Sequence, residues 1–283
     1  MRTLAQHLLP HKIISKIAYL CATCKIICIK NYLIRYFLSR YNVNMSEAIQ
    51  ENPLLYPTYN DFFTRKLKPE CRPVDSDPNA IVSPADGAIA QIGKISNNEI
   101  LQAKGHNYTV QSLLGDMESL AAPFINGSFA TIYLAPKDYH RVHMPLTGKL
   151  QKMIYIPGKL FSVNNHAAEN IPNVFARNER VVAIFETDIG SMAIILVGAM
   201  IVGSIATSWA GTICPPHTRK IKIWDYNDMA PIKINKGDEM GLFKLGSTVI
   251  ILHAPNAVNW NESLTPATDV KMGSRIGLIN TTR

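Results

Sequence analysis

The chain has 283 residues, 47% of them hydrophobic, and a formal net charge of +8 from 29 Lys and Arg against 21 Asp and Glu. That size and apolar content can build a sizeable core, and they exclude a disordered chain. The positive balance admits nucleic acid, anionic lipid or acidic substrates as partners, and the placement of the charge decides among them.

No acidic residue occurs between Met1 and Ser46, whereas Arg2, Lys12, Lys16, Lys25, Lys30, Arg35 and Arg40 run through a strongly apolar stretch. Apolar residues recur there at three- and four-residue spacing, which predicts two or three helices over 3–40, broken near Pro10. The longest uncharged run, 17–24, is well short of the roughly 20 residues of a spanning helix. The expectation is a basic helical region, 1–45, lying in the interface against an anionic membrane surface. Its setting would be peripheral, on the cytoplasmic side of the cell membrane, with no nucleic-acid partner. A helical hairpin packed on its own core is the alternative. Signal and transit peptides fit poorly, because Lys25 and Lys30 interrupt the apolar stretch and no small-residue cleavage site follows. Cys21, Cys24 and Cys28 fall at i, i+3 and i+7, which reads as one helix face. Half a zinc site is the weaker reading, since Cys71 and Cys214 supply no second pair, so no metal is expected. Five cysteines without a paired framework suit a reducing compartment.

Asn52-Pro53, Tyr56-Pro57 and the prolines at 69, 73 and 78 mark a connecting segment, 46–80. From residue 81 the pattern becomes short β-branched runs bounded by Gly, Pro, Asn and Asp, at 87–95, 128–134, 149–156, 181–187, 191–202, 220–224 and 247–253. The fold class expected is therefore α+β, with a β-rich catalytic domain over 81–283 behind an N-terminal helical region.

Three segments carry chemistry. Gly246-Ser247-Thr248 is a small turn directly before an apolar strand, which alone is ordinary turn composition. Tyr139-His140-Arg-Val-His143 sets two histidines three apart among polar groups. In an extended chain they project to opposite sides, so they fit different roles better than paired metal ligands. Ser83-Pro-Ala-Asp86-Gly87 puts a carboxylate on a turn, where it could orient an imidazole.

Together these segments resemble the bacterial type of the phosphatidylserine decarboxylase proenzymes, and the likeness covers nearly the whole chain. It includes Phe62-Phe-Thr-Arg-Lys66, Gln102-Ala-Lys-Gly105-His106, Tyr139-His-Arg-Val-His143-Met-Pro145, Pro157-Gly-Lys-Leu-Phe-Ser-Val163, Phe175-Ala-Arg-Asn-Glu-Arg180, Val197-Gly-Ala-Met-Ile-Val-Gly203, Trp209-Ala-Gly-Thr212 and Leu245-Gly-Ser-Thr248. The resemblance implies that Ser247 attacks the Gly246 carbonyl, and that the chain divides there into 1–246 and 247–283, which stay associated. Ser247 would become a covalent pyruvoyl group that forms a Schiff base with the substrate amine and acts as an electron sink. It further implies that His143 is the base for Ser247, that Asp86 orients and stabilises that imidazole, and that His140 returns the proton to substrate. Tyr139 and Arg141 would touch substrate, Thr248 could contribute to an oxyanion site, and Phe161 to Val163 could border the head group. The product would be phosphatidylethanolamine with carbon dioxide, made by a homo-oligomer, a dimer.

Two other enzymes remain open on the residues. Asp86, His143 and Ser247 also stand in an order known for serine hydrolases, although no Gly-x-Ser-x-Gly elbow is present. A pyruvoyl decarboxylase of a soluble amino acid would need no basic helices. A membrane-binding module without catalysis would leave the Asp86, His143 and Ser247 set without a role.

Overall fold

The computed structural model describes residues 11–103, 105–199, 204–213, 220–244 and 248–281, which form an α+β molecule. Helices α1 (His11–Ala22) and α2 (Ile27–Arg40) are joined through a break bent by 110°. Thr23 sits at the break, its hydroxyl turned back onto the carbonyls of Tyr19 and Leu20, a local bond that competes with helix propagation. The expected single face of Cys21, Cys24 and Cys28 is therefore not formed, because the break separates Cys21 from Cys28. Through Ile34 and Phe37, α2 packs on Phe62 and Phe63 around α3 (Tyr59–Phe63). Lys30 is buried rather than facing solvent, and its ammonium donates to the carbonyls of Leu54 and Tyr56 at 2.6 and 2.9 Å. The outer side differs: Ile17, Leu20, Ile26, Ile27, Tyr32 and Tyr36 are exposed. No single helix among the described residues is long and apolar enough to cross a membrane.

The strands are β1 (Ala80–Val82), β2 (Gly87–Lys94), β3 (Glu99–Ala103), β4 (His106–Thr109), β5 (Ser128–Tyr133), β6 (Arg141–His143), β7 (Gly148–Ile156), β8 (Arg180–Thr187) and β9 (Gly190–Val197). They continue as β10 (Ile205–Thr207), β11 (Gly211–Thr212), β12 (Lys222–Asp225), β13 (Lys233–Ile234), β14 (Glu239–Phe243), β15 (Thr248–His253), β16 (Val258–Trp260), β17 (Asp269–Val270) and β18 (Arg275–Ile279). The largest sheet runs β12-β7-β8-β9-β15-β5-β2-β17, with β13 also on β7. Its central strands are buried on both faces, which is why they read as continuous apolar runs rather than alternations. Along β15, Val249 and Ile251 face one core, Ile250 and Leu252 the other. The first core lies against a sheet ordered β11-β10-β14-β6 and a sheet ordered β1-β18-β16. The second lies under the β3–β4 hairpin and the short helices α4 (Val110–Leu113), α5 (Glu118–Ala121), α6 (Asn165–Asn170) and α7 (Val174–Arg177).

The expected runs match strands closely, except that 191–202 ends as a strand at Val197 and 200–203 lie outside the described residues. The β3–β4 hairpin and α4 to α7 were not expected. Helices this short complete too few turns to leave a periodic signature.

Candidate active site

One end of the large sheet gathers the chemistry. Thr248 opens β15 between Tyr133, which ends β5, and Val197, which ends β9. On the far side of β5, Ala88 pairs with the same Tyr133. Gly87 is required there, since a Cβ would stand 2.3 Å from the Tyr133 carbonyl oxygen. Asp86 immediately precedes it. The β6–β14 pair covers this end: the Phe243 amide donates to the His140 carbonyl at 3.0 Å and the His143 amide to that of Pro84 at 2.8 Å. Gly246 and Ser247, the expected cleavage pair, lie outside the described residues, between Lys244 and Thr248.

His143 is held from both ring nitrogens. Nδ1 lies 2.8 Å from the Gly237 carbonyl oxygen, which can only accept, so Nδ1 carries the proton and Nε2 keeps its lone pair. The Tyr139 hydroxyl, 3.1 Å away, donates to that lone pair. Burial pushes the His143 pKa below its ordinary value, against the Gly237 hydrogen bond and the charges of Glu239 and Asp86, leaving a neutral imidazole. Gly237 occupies the left-handed region at φ +85, in the turn Asn235-Lys-Gly-Asp238, and this conformation aims its carbonyl at a histidine 94 residues away.

Asp86 does not touch His143. Both carboxylate oxygens take the Arg72 guanidinium, at 2.8 Å (Nε to Oδ1) and 2.5 Å (Nη2 to Oδ2), and Oδ1 also accepts the Met272 amide at 2.9 Å. The expected direct hydrogen bond is thus replaced by a two-pronged charge-assisted pair, and Asp86 reaches His143 only through space. Burial disfavours the charge on Arg72, but Asp86 and then Glu47 outweigh it and push its pKa up.

His140 is fully buried and stacked on Phe63, ring centroids 4.2 Å apart. Its Nε2 faces the Pro136 carbonyl at 3.4 Å and its Nδ1 has no partner. Burial, and then the charge of Arg65, bring its pKa down to about 3. His140 and His143 differ in surroundings, one against an aromatic ring and one between a carbonyl and a hydroxyl.

Other expectations divide. Arg141 is an ion-pair residue, bound to Glu239 at 2.7 and 2.8 Å and to the Thr64 carbonyl at 2.9 Å. Phe161 and Val163 are buried in the second core. Thr248 is fully buried, and its hydroxyl has no partner among the described residues. Arg72, Gly237 and Arg65 were missed as site residues. Arg65 stood within a quoted motif, but the roles of all three depend on partners distant in sequence.

A family model described as phosphatidylserine decarboxylase matches residues 59–278, and a second, described as PSD, matches residues 1–42. The chain is 53% identical over 275 residues to the phosphatidylserine decarboxylase proenzyme of Pseudomonas putida, an alignment covering 96% of each chain. It is 51% identical over 276 residues to the proenzymes of Azotobacter vinelandii and Bordetella petrii, covering 97% of this chain and 96% of each relative. The chain belongs to the phosphatidylserine decarboxylase family.

Proposed function

We propose that this chain cuts itself between Gly246 and Ser247, converts Ser247 to a pyruvoyl group, and decarboxylates phosphatidylserine to phosphatidylethanolamine at a membrane surface. The observation that carries the reading is His143: a neutral, half-buried imidazole with its proton fixed on Nδ1, at the sheet end where β15 begins one residue after Ser247. In this reading the Tyr139 hydroxyl gives up Nε2 of His143, which takes the Ser247 proton as the hydroxyl attacks the Gly246 carbonyl and returns it to the Ser247 amine as the peptide C–N bond breaks and an ester forms. Asp86, anchored by Arg72, stabilises the imidazolium that results through its charge rather than by contact.

Two polar atoms at this end fit a carbonyl-bearing group. The Thr248 hydroxyl and His140 Nδ1 are buried and have no partner among the described residues, so each has hydrogen-bonding capacity in hand. A pyruvoyl group at 247 would supply a ketone for the substrate amine and an acceptor for the electrons freed as carbon dioxide leaves. Thr248 would donate to its oxygen. With Nε2–H on the Pro136 carbonyl, the neutral His140 ring keeps a free lone pair on Nδ1, where it would take up a proton only in passing and hand it to the former α-carbon.

The exposed apolar side chains of α1 and α2, together with exposed Lys16, Lys25, Arg35 and Arg40, support a peripheral seat on an anionic, cytoplasm-facing leaflet. Sedimentation of the intact enzyme would test the dimer.

The deciding experiment incubates purified protein with carboxyl-labelled phosphatidylserine and weighs the chains. Release of labelled carbon dioxide, with fragments ending at Gly246 and starting at a modified residue 247, is expected. An active chain that stays whole with an unmodified serine would fit the hydrolase arrangement and defeat the proposal.

A further inference from the structure

Between the end of α2 and the catalytic sheets lies a cavity of about 170 Å³, lined by Asn42, Arg65, Asp86, Lys137, Tyr139 and Lys271 among others. Its charges are unequally engaged. Arg72, in the same wall, is saturated by Asp86 and Glu47. Asp138 has its Oδ2 on the Ala135 amide at 2.7 Å. Arg65 is only 4% exposed, yet its guanidinium makes no ion pair among the described residues. Its Nη2 donates to the carbonyls of Lys137 and Asp138 at 3.1 and 3.4 Å, and its Nε and Nη1 have no partner among the described residues. A buried cation with two idle donor atoms is costly to keep unless something anionic completes it.

We propose that Arg65 binds the phosphodiester of the phospholipid head group in this cavity, an inference that rests on the function proposed above. Guanidinium donors in a planar fork match phosphate oxygens. The substrate has a second anion, the seryl carboxylate, but that group leaves as carbon dioxide, and pairing it with Arg65 would stabilise the ground state against reaction. The phosphodiester is unchanged by the chemistry and can be gripped throughout. The cavity admits a head group but not two acyl chains, and the chains have a natural path. Asn42 and Asn44 of the lining directly follow α2, whose hairpin exposes the apolar side chains described above. The bound anion would also offset the Arg65 charge that helps keep the His140 imidazole neutral.

The test uses the full-length Ser247→Ala chain, so that binding is read without turnover. Dihexanoyl phosphatidylethanolamine, which has the phosphodiester and lacks the carboxylate, is titrated by calorimetry beside dihexanoyl phosphatidylserine and inorganic phosphate. Adding Arg65→Gln should weaken both lipids about tenfold or more, and Arg65→Lys should weaken them less. Unchanged lipid affinity in Arg65→Gln, or loss confined to phosphatidylserine, overturns the assignment. So does inorganic phosphate binding as tightly as the lipids with the same dependence on Arg65, since the site would then be one for free phosphate. If Arg65→Gln shows no cooperative urea unfolding, Arg65→Lys carries the test: weakened binding of both lipids with an unshifted urea midpoint supports the inference, and wild-type affinity overturns it. Should mature wild-type protein release no carbon dioxide while lipid binding still depends on Arg65, the function fails and the binding assignment stands.

Discussion

At His143 the proton is pinned to Nδ1 by a carbonyl, so the pH dependence of self-cleavage has a definite sign. In the proposed role as base the reactive form is the neutral one, and burial holds the pKa below the ordinary histidine value of about 6.5. Cleavage measured by gel should therefore be flat through neutral pH and fall only on acidification below about 6.5, and His143→Ala should abolish it at every pH. Asp86→Asn acts differently, because it strands Arg72 in a site where the carboxylate is 4% exposed. Both the urea midpoint and the cleavage rate should drop, with a stability loss of roughly 2–4 kcal/mol, Glu47 still holding one prong of Arg72. A variant with slow cleavage at an unchanged midpoint would show that Asp86 has no anchoring role. The same residues mark what the sequence could disclose. Asp86, His140 and His143 could be picked out as candidates. Their partners were not, since whether Asp86 meets His143 or Arg72 is settled by which chain segment crosses it, and Gly237 acts through a main-chain oxygen that no side-chain pattern reveals.

Among elements, the central strands were the most legible, because burial on both faces demands unbroken β-branched runs such as the one in β15. Short pairs such as β6 with β14, and helices of four to six residues, left little trace, since their geometry is imposed by the sheets they cap. The turn leading into β14 offers a test of its own. At Gly237 an added Cβ would meet Val74 Cγ2 at 2.7 Å and the backbone has φ +85, so Gly237→Ala should cost about 1–2 kcal/mol and slow cleavage by moving the carbonyl off His143. Unaltered cleavage would mean that this carbonyl does not fix the imidazole. The helical hairpin has a different anchor. Lys30→Met removes both donors from the carbonyls of Leu54 and Tyr56, which should cost about 1–3 kcal/mol and expose the α2 region to protease, without touching the sheets.

For the whole molecule, acid stability follows from histidines buried as neutral rings. His140 and His253 are both fully buried, with pKa values brought down to about 3 by burial. Below about 6.5 the unfolded chain takes up protons that the folded one refuses, so stability is complete above that pH and declines as pH falls from 6.5 toward 3. The slope should approach about 1.4 kcal/mol per pH unit for each ring, readable from urea midpoints at a series of pH values. The proposed division at 246 leaves β15 to β18 on the smaller chain, and β15 sits between β5 and β9 in the middle of the large sheet. The two pieces should co-purify through any native column and separate only when the whole structure melts.

That placement makes continuity of the backbone a requirement for construction and not for service. While the precursor is whole, the strand that completes the sheet is tethered to its slot. Once severed, a denatured sample must reunite two molecules by collision, against a hydrophobic fragment's tendency to aggregate. Diluting matured enzyme out of urea should recover far less native circular dichroism than the uncut Ser247→Ala chain does, and the yield should depend on concentration. Maturation of this kind trades the ability to be repaired for a reactive group that no side chain in the genetic code provides.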